Sequence, residues 1–154
     1  MKHPLLNKTL PSGLKHIAVI MDGNGRWAQQ RGKDRIFGHR QGAEAVRKIV
    51  KNCSDLGLGV LSLFAFSTEN WDRPIDEVNA LMSYFEDFLK KERKGIFEQN
   101  IKFVVTGQIE RLPKKVKELA VSLMQDSSSN KGMVLNLAVS YGGRQDILNA
   151  VNGI

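Results

Sequence analysis

Four short apolar runs punctuate the chain: HIAVIM (16–21), VLSLFAF (60–66), IKFVVTG (101–107) and MVLNLAV (133–139). Each is too short for a buried helix and rich in β-branched or aromatic residues, so each reads as a buried strand. The segments between them carry apolar residues at helical spacing. Residues 39–56 place Ala43, Val46, Ile49, Val50 and Cys53 on one stripe before Gly57 and Gly59 stop the run. Residues 75–98 place Val78, Leu81, Met82, Phe85, Phe88 and Leu89 on another, residues 111–125 form a basic amphipathic segment, and a short helix is expected over 145–151, after Gly142 and Gly143. Strands that alternate with helices pair in parallel, because the helix is the crossover. The expected fold is therefore α/β, with a mostly parallel central sheet flanked by helices and covered on both faces.

A chain of 154 residues fits one domain, read here as a tail over 1–13 and a domain portion over 14–154. Cys53 stands alone, which excludes a disulfide framework and a cysteine-based zinc site. The start, MKHPLLNKTLPSGLKH, lacks the continuous apolar core of a signal peptide. The apolar runs fall far short of the ~20 residues that span a bilayer. These features point to the cytoplasm. Charge is unevenly spread: residues 1–75 hold 12 basic and 6 acidic side chains, residues 76–154 hold 11 and 10. The basic half is either a solvated face or a surface for an anion, with nucleic acid, a phosphorylated metabolite and an anionic membrane all open on charge alone. The run KKERKG (90–95) reads as a solvated face with the chemistry to touch anionic lipid.

In open parallel sheets, ligands bind beyond the carboxyl ends of the strands. Three of those ends are chemically dense: DGNGRW after the first strand, STENWDRP after the second and SYGGR after the fourth. After the first strand, Gly23 and Gly25 let the backbone turn tightly, a helix starting near Gly25 would aim free N–H groups outward, and Arg26 offers a fork of donors for phosphate. A lone Asp22 beside them would repel a phosphate unless Mg²⁺ lay between. An ordinary capped strand-to-helix turn explains the same residues without a ligand. No GxxxxGK[ST] loop occurs, and a dinucleotide reading of Gly23, Gly25 and Ala28 would put its ribose acid near Glu44, inside a helix. The second end packs Ser67, Thr68, Glu69, Asn70, Trp71 and Arg73 before or around Pro74, which a helix start explains only in part. His39 and Arg40 open the long helix after Gly38.

Taken together, HIAVIMDGNGRWA, GHRQGAE, FAFSTENWDRP and LNLAVSYGGRQDI resemble, in order and spacing, the cis-prenyltransferases, with bacterial undecaprenyl diphosphate synthase the nearest type. The resemblance runs from about residue 14 to the last residue. It implies elongation of an allylic diphosphate, usually farnesyl diphosphate, by isopentenyl diphosphate with cis geometry, and it implies Mg²⁺. The absence of an Asp-rich DDxxD motif agrees. Carried over by position, Asp22 would hold Mg²⁺ and assist departure of the allylic diphosphate. Gly23, Asn24, Gly25 and Arg26 would cradle that diphosphate, with Arg35 and His39 completing the pocket and Trp27 flanking it. Ser67, Thr68, Glu69, Trp71 and Arg73 would line the substrate site, and Asn70 would serve proton removal. The stripe from Val78 to Leu89 would wall a hydrocarbon tunnel.

The family domain continues beyond the YGGR block with an arginine-rich motif for isopentenyl diphosphate, a glutamate completing the Mg²⁺ site and much of a homodimer interface. The expectation is that the C-terminal part of the domain is missing from this sequence and that a four-stranded sheet exposes apolar surface. Two readings follow: a Mg²⁺-dependent cis-prenyltransferase, or a truncated, non-catalytic fragment or accessory subunit that binds only allylic diphosphate. Peripheral contact with the inner membrane face is expected from the lipid product. Nucleic acid is not an expected partner, since no nucleic-acid motif occurs.

Overall fold

The computed structural model describes residues 9–153, so most of the expected tail over 1–13, together with Ile154, lies outside the described residues. The element order is β1 (His16–Ile20), α1 (Asn24–Gln29), α2 (Arg35–Asp55), β2 (Val60–Ser67), a 3₁₀ turn (Thr68–Asp72), α3 (Ile75–Glu98), β3 (Lys102–Thr106), a 3₁₀ turn (Ile109–Arg111), α4 (Lys114–Asp126), β4 (Val134–Tyr141) and α5 (Gly143–Asn152). The four strands form one parallel sheet in the order β1-β2-β4-β3.

Side chains of paired residues in parallel strands share a face. One face of this sheet carries Leu61, Leu63, Phe103, Val105, Leu135 and Leu137, all buried, and α2, α3 and α4 pack their apolar stripes against it to make a single core. The opposite face differs from the expectation of two covered faces. There His16, Ala18, Ile20 and Lys102 are exposed, and Ser62, Phe64, Val104, Asn136 and Ala138 are half-buried. A hydrogen-bonded row crosses that face: Thr106 Oγ1 donates to Asn136 Oδ1 at 2.8 Å, Asn136 Nδ2 to Ser62 Oγ at 3.4 Å, and Ser62 Oγ meets His16 Nε2 at 2.8 Å.

Several boundaries shift for local reasons. The long helix starts at Arg35, four residues before His39, because the Asp34 carboxylate caps it by accepting the Phe37 N–H at 2.6 Å. The fourth helix starts only at Lys114, after Pro113, whose fixed φ suits the position just before a helix. The last helix begins at Gly143 rather than residue 145.

Two glycines of GHRQG allow α1 to lie against α2. A Cβ on Gly38 would stand 2.0 Å from the Asn24 carbonyl oxygen, and one on Gly42 would stand 2.6 Å from Asn24 Nδ2. These bare positions on α2 seat the turn that follows β1.

Candidate active site

A cavity of about 310 Å³ opens between the carboxyl ends of β1, β2 and β4 and the facing helices α2 and α3. Its two ends differ in chemistry. Asp22, Arg26, Arg35, His39, Asn70 and Arg73 converge on the polar end, with the backbone of Gly23, Asn24 and Gly25. The other end is apolar, walled by Leu81, Phe85 and Phe88 of α3, Val46 of α2 and Leu137 and Val139 of β4.

The turn after β1 is shaped by Gly23, whose φ of 86° is left-handed and costs glycine nothing. No side chain caps α1. Asp22 Oδ1 accepts the Gly23 N–H at 2.5 Å and Oδ2 accepts from Arg26 Nη2 at 2.8 Å. The Gly23 N–H and the neighbouring Arg26 hold this exposed carboxyl below the usual carboxylate range. Asp22 is thus an ionised, accessible oxygen donor at the cavity mouth.

The group that organises the polar end is one the sequence did not single out. Glu77 exposes only 14% of its side chain, and a single oxygen, Oε1, takes Arg73 Nη1 at 2.8 Å, Arg35 Nε and Nη2 at 3.3 Å and His39 Nε2 at 3.4 Å. Burial works to raise the Glu77 carboxyl, and the hydrogen bonds from Arg35 and Arg73 outweigh it and keep it ionised. For His39, burial is the larger effect and lowers the imidazole, against the pull of Glu77. A near-neutral histidine therefore sits beside two fixed guanidinium groups. A glutamate in the first turn of α3 reads as a helix-start residue from sequence, and only the tertiary approach of α2 reveals its role. Gly42, Ala43 and Tyr84 also line the cavity and were not anticipated; Gly42 and Ala43 reach it from α2, where the helical spacing of Ala43 and Val46 was the available signal, and Tyr84 reaches it from α3.

The second dense segment splits. Asn70 and Arg73 face the cavity, and Asn70 Oδ1 accepts the Ser67 N–H at 3.2 Å. Ser67, Thr68, Glu69 and Trp71 do not line it. Glu69 is exposed, held ionised by its own backbone N–H and by Ser67 and Thr68. Trp71 packs edge-on to Phe66 at 4.9 Å, lies beneath Arg111 at 5.1 Å and donates Nε1 to Ser140 Oγ at 2.9 Å. It braces the loop from behind. Trp27 is likewise outside the cavity, stacked on Phe37 at 6.2 Å with Arg31 4.4 Å above its ring. Within the α3 stripe, Val78 and Leu89 point into the core while Leu81, Met82, Phe85 and Phe88 reach the cavity.

The prenyltransferase family model of undecaprenyl diphosphate synthases matches residues 20–154. The chain belongs to that family. It is 44% identical over 149 residues to an isoprenyl transferase of Fusobacterium nucleatum, covering 97% of this chain and 64% of that protein. It is 47% identical over 137 residues to the (2E,6E)-farnesyl-diphosphate-specific ditrans,polycis-undecaprenyl-diphosphate synthase of Aliivibrio fischeri, covering 89% and 53%. The fold overlays the crystal structure of lavandulyl diphosphate synthase from Lavandula x intermedia, solved with dimethylallyl diphosphate, with a TM-score of 0.87 at 37% identity, over 90% of this chain and 60% of that one. The chain thus spans roughly half to two thirds of the length of these relatives. No helix among the described residues is long and apolar enough to cross a membrane.

Proposed function

We propose that this chain supplies the allylic-diphosphate half of a cis-prenyltransferase, extending an allylic diphosphate such as farnesyl diphosphate with isopentenyl diphosphate. The observation that carries the proposal is the two-ended cavity: a cationic, donor-rich mouth joined to an apolar interior. A prenyl diphosphate has the same two ends, and each CH₂ drawn out of water favours threading by about 0.8 kcal/mol.

Diphosphate oxygens would face Arg26, Arg35 and Arg73 and the uncapped N–H groups after Gly23. The forks of Arg35 and Arg73 are held by Glu77 before substrate arrives, so little reorganisation accompanies binding. Mg²⁺ is part of the proposal. Among the described residues no group of three or more His, Cys, Asp or Glu side chains gathers as a cage. A single ionised, exposed Asp22 beside a phosphate cradle suits an ion that takes one carboxylate and completes its shell with substrate oxygens and water. Bound there, Mg²⁺ would neutralise charge on the departing diphosphate. Asn70 is a weak base and its Oδ1 already accepts the Ser67 N–H, so its role is to orient substrate, with a diphosphate oxygen receiving the proton.

The deciding experiment is incorporation of radiolabelled isopentenyl diphosphate into butanol-extractable product, with farnesyl diphosphate and Mg²⁺ present and Asp22→Ala as control. Incorporation that the variant loses supports elongation. Binding of farnesyl diphosphate without incorporation by folded protein assigns this chain to binding alone.

A further inference from the structure

Three segments start around the mouth of the cavity, and each carries an exposed apolar side chain beside a cavity arginine. Trp27 follows Arg26 and is 40% exposed, Ile36 follows Arg35 and is 41% exposed, and Ile75 lies just past Arg73 and is 68% exposed. The starts of α2 and α3 are tied together there through Arg35, Arg73 and Glu77. Arg31 covers the Trp27 ring and donates to the Trp27 carbonyl oxygen at 3.1 Å, and Phe37 stacks on the same indole at an interplanar angle of 6°. The Trp27 indole N–H has no protein partner among the described residues.

The cations around this rim differ from the lysines of α3 and α4. Every lysine of α3 and α4 is paired with a carboxylate, as in Lys91–Asp87 at 3.0 Å, Lys94–Glu98 at 3.6 Å and Lys115–Glu86 at 2.9 Å. The KKERKG run is accordingly a self-neutralised face. Arg31, Lys33 and Arg40 have no carboxylate partner among the described residues, and Asp34 beside them is turned inward to cap α2. Arg40 is a helical neighbour of both Ile36 and Phe37.

We infer that this rim, made of Trp27, Ile36 and Ile75 with Arg31, Lys33 and Arg40, is a docking surface for an anionic lipid bilayer. Amphipathic tryptophan with a free N–H is the side chain favoured at the level of lipid headgroups, and unpaired Arg and Lys are drawn to anionic lipid. A nucleic-acid backbone would use the cations and leave Ile36 and Ile75 idle. The inference rests on the proposed function, because a cavity whose mouth lies against a bilayer can release a long hydrocarbon without exposing it to water.

The test is co-sedimentation with phosphatidylcholine vesicles, with and without phosphatidylglycerol, alongside farnesyl diphosphate binding. The protein is expected on anionic vesicles only, with binding that weakens as salt rises. The combined Arg31→Gln, Lys33→Gln, Arg40→Gln variant is expected to lose about 100-fold in vesicle partitioning, at roughly tenfold or less per charge. It keeps its farnesyl diphosphate affinity. Brominated lipid should quench tryptophan emission in the parent and not in Trp27→Phe. Equal binding to neutral vesicles, a loss within about threefold for the triple variant, or quenching that survives in Trp27→Phe each overturns the inference. Failure of the parent to bind farnesyl diphosphate would instead sink the proposed function, and the vesicle result would still be read on its own.

Discussion

Glu77 shows how one side chain can set the electrostatics of a cavity mouth. Its single oxygen balances two guanidinium groups and an imidazole, so removing the charge leaves Arg35, Arg73 and His39 facing one another. Glu77→Gln is expected to cost about 2 kcal/mol, the loss of charge-assisted hydrogen bonds, read as a lower denaturation midpoint. The pH dependence follows from the same group and its neighbour. His39 is depressed from its ordinary 6.5, so the unfolded chain takes up a proton first, and the stability held above that value falls as pH drops through it. Glu77 is depressed from 4.5, so its contribution is full above 4.5 and is lost as pH falls further, through its folded value. Urea melts taken from neutral pH to well below 4.5 should show both losses, the second being absent in Glu77→Gln. Ser140 makes a different residue-scale case. It is fully buried, has a left-handed φ of 53° and accepts the Trp71 indole hydrogen. Strain of this kind survives where the surroundings demand it.

At the scale of elements, α1 and α2 meet through absence of side chains. Gly38→Ala would put a Cβ 2.0 Å from a backbone carbonyl, which cannot swing aside, whereas Gly42→Ala meets the movable end of the Asn24 side chain. Gly38→Ala is therefore expected to destabilise by about 3 kcal/mol, as overpacking against fixed backbone does. Gly42→Ala should cost little in thermal melting while weakening farnesyl diphosphate binding, because it displaces Asn24 at the cradle. Comparable losses from both would show that the turn adjusts more freely than its contacts indicate. Much of this element architecture was legible beforehand. The α3 bounds coincide with the apolar stripe after Pro74, and the four apolar runs mark the four strands. What escaped were features created by tertiary approach: the Asp34 cap that lengthened α2, the 42-residue separation closed by Arg35 and Glu77, and the inward turn of Trp71. The resemblance implied Trp71 and Trp27 as site residues. In the structure one braces the loop and the other faces outward.

For the molecule as a whole, one sheet face is sealed by α2, α3 and α4 and the other is served by a polar row and little apolar cover among the described residues. Beside that row Ile20 is 75% exposed, and α5 has no buried residue, with Ile147, Leu148 and Val151 at 67%, 55% and 63% exposed. Residues 147, 148 and 151 fall on one side of a helix, so α5 presents a continuous apolar stripe. Exposed stripes of this kind associate, and the driving force scales with the apolar area they remove from water. The chain of residues 1–154 is therefore expected to self-associate, with a sedimentation coefficient that rises with protein concentration. The double variant Ile147→Asp, Val151→Asp should stay flat over the same range. Because α5 contributes nothing to the cavity lining, that variant should bind farnesyl diphosphate as the parent does. A sedimentation coefficient that still rises in the variant would move the association to another surface, and the exposed Ile20 edge of β1 is then the next to alter.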